Sequence, residues 1–151
     1  MKKIVSLFLA VVLMISLLPS TYAKTMIDKQ IEYFSDGSYI VTVLSEDSFH
    51  YLRNSVTRSK TKYCYNALDD LIFSITITAS FYYTTGAIVK VTSHSPSYAI
   101  QNNAWTCASI TSSAINSGVL ATATASGSFV NSFVTRDVSV SISCDNYGNI
   151  S

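Results

Sequence analysis

Charge is scarce in this chain. Only 13% of its 151 residues are Asp, Glu, Lys or Arg, and ten basic side chains meet nine acidic ones. That balance excludes the strong positive field that holds nucleic acid or an anionic membrane. Histidine is nearly missing as well, with His50 and His94 alone, and the three cysteines stand far apart in sequence. The paired short spacings of a zinc site therefore do not occur. The five glycines form no phosphate-cradling loop. After the first 23 residues no apolar run reaches the length of a bilayer span.

The first 23 residues are of a different kind. Lys2 and Lys3 precede an apolar stretch, and Pro19, Thr21 and Ala23 follow it. This is the pattern of a secretory signal peptide cleaved after Ala23. Export leaves a chain of one-domain size from Lys24 to Ser151, without stable membrane insertion. Removing Lys2 and Lys3 leaves eight basic against nine acidic side chains, so the exported part is close to neutral.

Period-two alternation runs through most of that part and a 3.6-residue period is absent, which predicts a nearly all-β domain. Met26 to Glu32 is the one stretch that reads as a short helix. Asp36-Gly37 predicts a hairpin turn between "IEYF" and "SYIVTVL". Residues 24–57 then form an N-terminal hairpin and connection, and 58–151 the body. In "LIFSITITASFYY", Leu71, Phe73, Ile75, Ile77, Ala79 and Phe81 share one parity and the hydroxyl residues share the other, so one face is buried and one is wet. "NALDD" and "TTG" read as turns, "SHSPS" around His94 as a loop, and "RSKTK" as a solvated edge strand guarded by charge. About seven short antiparallel strands in an immunoglobulin-like or related β-sandwich are expected.

The stretches "YFSDGSYIVTVL", "ITASFYYTTG", "NNAWTCASITSSAINSGVLATATASG" and "VSVSISCDNYGNIS" resemble an uncharacterised family of small secreted proteins of Gram-positive, often gut-dwelling, bacteria. The resemblance covers most of the exported part and implies a β-rich fold without implying an activity. It also implies a cysteine near position 91 as partner of the last one, where this chain has Val91.

Three cysteines in an exported chain predict one disulfide and one leftover thiol. Cys144 shares parity with Val138, Val140 and Ile142, and Cys107 with Trp105, which is expected to be buried against that strand. Cys64 shares parity with Lys60 and Lys62, which points it to solvent. Parity therefore favours Cys107–Cys144, with Cys64–Cys144 as the alternative. The closing "CDNYGNIS" has one charged oxygen ligand, Asp145, and its Asp, Asn and Gly suit a tight turn better than a hard-cation loop.

Candidate chemistry is thin. No catalytic residue, metal site or cofactor is assigned. Asp69-Asp70 and Glu46-Asp47 are carboxylate neighbours, but glycosidases hold such groups across a cleft rather than side by side. Tyrosine is plentiful, with nine left after Tyr22 goes with the signal. Tyr51, beside Arg53, and Tyr82 and Tyr83, beside the Gly86 turn, are the expected ligand-binding residues, since each offers an apolar body with a polar tip. The expected function is a secreted, non-catalytic binding module for an extracellular glycan or protein. A small hydrolase and an exported bacteriocin-like antagonist are the alternatives.

Overall fold

The computed structural model describes residues 26–45 and 54–151, with side chains from Lys29 onward. Residues 1–25 and 46–53, with the expected signal segment, His50 and Tyr51, lie outside the described residues. Eight strands follow one another: β1 (Met26–Tyr33), β2 (Tyr39–Ser45), β3 (Ser55–Tyr65), β4 (Leu71–Thr84), β5 (Ile88–Ile100), β6 (Thr106–Asn116), β7 (Leu120–Val130) and β8 (Thr135–Asp145). The first five form one sheet in the order β1-β2-β3-β4-β5, and the last three a second in the order β6-β7-β8. Every ladder between these strands is antiparallel and joins neighbours in sequence. The β-sandwich is as expected. The described residues form eight strands where about seven were expected, with meander connections rather than the Greek key of immunoglobulin domains.

The core forms where the inner parities of the two sheets meet. Phe73, Ile75, Ile77, Ala79 and Phe81 of β4 are essentially unexposed, as are Ala121, Ala123, Ala125 and Phe129 of β7 and Ile142 of β8. The rings of Phe73 and Phe129 stack across the layers with centroids 3.9 Å apart. Trp105 is buried in the same cluster as Val138, Val140 and Ile142. Its ring packs on Phe73 at 5.6 Å, and β8 meets it through the Arg136 guanidinium at 5.9 Å.

Hydroxyls tile the outer faces. Thr57–Ser80, Ser59–Thr78 and Thr61–Thr76 bridge β3 and β4, while Thr122–Ser143 and Thr124–Ser141 bridge β7 and β8, all at 2.8–2.9 Å. Such cross-strand pairs each contribute a few tenths to about 1 kcal/mol. They also fill outward positions without adding charge.

Several expectations are corrected. Met26–Tyr33 is a strand, because pairing with β2 from Met26↔Ser45 to Tyr33↔Tyr39 overrides its weak helical leaning. Its partner β2 pairs in turn with β3. "RSKTK" is an interior stretch of β3, flanked on both sides by β2 and β4. The His94–Pro96 region is strand: β5 runs through Pro96, which is tolerated because β5 has a neighbour on one side only.

Candidate functional site

The β1–β2 hairpin sets the site. Asp36 accepts from the Ser38 backbone and hydroxyl, fixing the turn and placing Tyr33 opposite Tyr39. The β2–β3 register then places Tyr39 opposite Tyr65. Three tyrosines thus stand side by side on the face of the first sheet turned away from the core. Their ring centroids are 5.6 Å apart for Tyr33–Tyr39 and 4.9 Å for Tyr39–Tyr65, the second pair nearly parallel at 10°.

The next cross-strand row is Ile31, Val41 and Tyr63, and Lys29 and Val43 follow. These residues enclose a trough of about 490 Å³, edged at its turn end by Asp69 and Gly37. The volume lies within the ~300–1,000 Å³ range of ligand sites. Val41 and Val43 form an apolar floor that is buried yet separate from the sandwich core. Tyr33 is 75% exposed. The Tyr39 hydroxyl donates to Asp69 at 3.1 Å. Burial first, and then Asp69, raise the Tyr39 pKa above the ordinary phenol value, so it stays a neutral donor at physiological pH.

The expected binding tyrosines are not brought together here. Tyr82 lies on the outer face of β4, 39% exposed, with the Lys90 ammonium 5.6 Å from its ring centre. Tyr83 is half-buried against the core, and its ring occupies the space left by Gly148. Tyr51 is outside the described residues. A signal for the observed ladder was present in the sequence: Tyr33 and Tyr39 flank the Asp36-Gly37 turn symmetrically, and Tyr63 and Tyr65 have the parity opposite to Cys64. It becomes readable only once β2 and β3 are known to be neighbours.

The cysteine expectation is overturned. Cys64, Cys107 and Cys144 are all free thiols. Cys107 pairs across to Phe129 and Cys144 to Ala121, eight residues apart on β7. At about 3.3 Å per residue that is roughly 26 Å, against a Cα separation under about 7 Å for a disulfide. The Cys64–Cys144 alternative fails for the same reason. Cys64 pairs with Phe73 at the start of β4, while the Asp145–Asn146 segment after Cys144 is bonded to Gly86 beyond the end of β4. Cys64 does not face solvent either: it is 1% exposed on the inner face. Its thiol sits against Arg136, and burial raises its pKa while that guanidinium opposes the rise. The lysines of the same parity are only half-buried, and Lys62 reaches Glu32 of β1 at 3.5 Å.

The other singled-out residues have structural partners. His94 Nδ1 lies 2.9 Å from Ser112 Oγ, linking β5 to β6. Asp70 accepts from Asn66 Nδ2 within its turn. Asp145 accepts from the backbones of Tyr147 and Asn149 and from the Asn149 side chain, which together hold its pKa below the usual carboxylate value. The closing segment is thus the tight turn that its composition suggests. Among the described residues no three His, Cys, Asp or Glu side chains converge. Comparison with known proteins found no matching family model, no similar curated protein and no similar solved structure.

Proposed function

We propose that this chain is exported, cleaved after Ala23, and acts outside the cell as a non-catalytic binding module that takes a glycan in the tyrosine trough. The observation that carries this reading is the in-register row Tyr33, Tyr39 and Tyr65 standing over an apolar floor. A sugar ring has an apolar face and a hydroxyl rim, and the trough has the matching parts: phenol and valine surface in its middle, Asp69 and Lys29 at its edge. Aromatic residues supply such contact at low entropic cost because few torsions must be fixed. The near-neutral exported part fits an uncharged ligand. The sparse charge and hydroxyl-tiled outer faces suit a protein that must stay inert to most of what it meets.

The test is binding of the Lys24–Ser151 chain to a glycan array and to mucin. A glycan hit that weakens at least tenfold in Tyr33→Ala and Tyr65→Ala, and is kept in Tyr82→Ala, supports the trough. A hit insensitive to Tyr33 and Tyr65 but lost with Tyr82 moves the site to β4, and silence on every glycan overturns the glycan reading in favour of a protein ligand.

A further inference from the structure

Exposed apolar side chains stand at both ends of the sandwich, with Ile115, Val119 and Tyr147 at one, but the two most exposed, Phe133 and Leu68, are at the other. Phe133 is 94% exposed and Leu68 81%, with Val134 and Phe34 at 45% and 42%. They come from three separate turns: β1–β2, β3–β4 and β7–β8. Each tip is held out by a capped turn. Asp36 caps the first, Asn66 accepts from the backbones of Leu68 and Asp70, and Asn131 accepts from those of Phe133 and Val134.

Between the tips lies a second hollow of about 390 Å³ that contains opposite charges. Arg136 Nη2 donates to Asp36 Oδ2 at 2.6 Å, and the Arg136 side chain is only 15% exposed. The guanidinium sits over the Phe34 ring at 4.9 Å and the Trp105 ring at 5.9 Å. The charges lining the hollow are Asp36 and Arg136, with no lysine; Asp69, Asp70 and the exposed Asp137 stand around it, and the nearby Lys62 is paired with Glu32.

We propose that this end docks on a bilayer of zwitterionic phospholipid. The tips enter the headgroup boundary and one headgroup sits in the hollow. Apolar side chains on separate protruding turns do not make the flat, continuous patch of a protein interface, whereas they can dip individually among lipid chains, as interfacial residues do. The acidic excess repels an anionic membrane and leaves zwitterionic lipid as the matching surface. A headgroup with a phosphate and a quaternary ammonium complements a hollow that holds a guanidinium, a carboxylate and an indole. The tyrosine trough lies on the other side of the β1–β2 and β3–β4 turns, so the two surfaces are separable by mutation.

The experiment is flotation of the Lys24–Ser151 chain with phosphatidylcholine vesicles, beside phosphatidylglycerol vesicles and buffer alone. The expected result is co-flotation with phosphatidylcholine that survives raised salt and is no stronger on phosphatidylglycerol. The double variant Leu68→Ser/Phe133→Ser, altered only at exposed tips, should lose binding by roughly tenfold or more. Ile115→Ser, 71% exposed at the far end of β6, should lose none. Soluble phosphocholine should shift the Trp105 indole NH resonance if the hollow holds the headgroup. Failure to float with phosphatidylcholine, preference for phosphatidylglycerol, or equal loss in Ile115→Ser overturns docking by this end. An unmoved Trp105 resonance overturns the headgroup assignment.

Discussion

Gly148 shows how one atom can hold the closing turn. Its φ is +89°, and a Cβ there would fall 2.5 Å from the Tyr83 ring. Gly148→Ala combines backbone strain with a clash against a half-buried aromatic, so a loss of about 2–4 kcal/mol is expected in urea denaturation. Gly118 is the control: its φ is +87° with nothing within 4 Å, and Gly118→Ala should cost only about 1 kcal/mol. Equal losses would show that Tyr83 does not pack on the turn. Cys144 gives a pH signature. Burial, aided by the neighbouring Asp145 carboxylate, pushes its thiol up to about 11. The unfolded chain releases that proton near the ordinary thiol value while the folded chain keeps it, so the folded state binds more protons above that value. The stability from the buried thiol is therefore full below about pH 9 and is lost as pH rises toward 11. A Cys144→Ala variant should show a flatter denaturation midpoint across that window.

At the scale of the strand, parity was the readable signal. The alternation in β4 and β8 names their buried faces from sequence alone, and the structure buries those residues except Leu71, which is half-buried at the start of β4. Parity does not say which strands are neighbours. "RSKTK" carries enough charge to look like an edge, yet it lies inside the sheet with its cationic stems half-buried. His94 and Pro96 carry loop-like chemistry, yet an edge position lets the strand absorb them. The tyrosine ladder and the cysteine separation are both products of register between strands. β7 shows what close sheet packing demands of a strand. A Cβ on Gly127 would meet Ile75 Cδ1 and the Phe129 ring at 3.0 Å, so Gly127→Ala should force the layers apart and lower stability by about 1–3 kcal/mol. Unchanged stability would mean that the sheets can yield at that point.

For the whole molecule, five strands facing three leave the first sheet overhanging. β1 meets the rest of the chain mainly through β2, whereas β4 and β7 are shared by the core. Amide exchange should therefore be fastest in β1, through local opening, and slowest in β4 and β7, through global unfolding. Uniform protection would show that β1 is held by more than its ladder. With all three thiols free, a reductant should leave the melting temperature unchanged. A drop on reduction would reveal a crosslink the geometry forbids. The meander has a kinetic consequence as well. Strands β1 to β5 build one sheet and β6 to β8 the other, each pairing with the strand before it in sequence, so each strand can zip onto the one before it. Long-range entropy is then lost mainly in one late event, the docking of two preformed layers at Phe73 and Phe129. Such a chain should fold faster than a Greek-key sandwich of equal size.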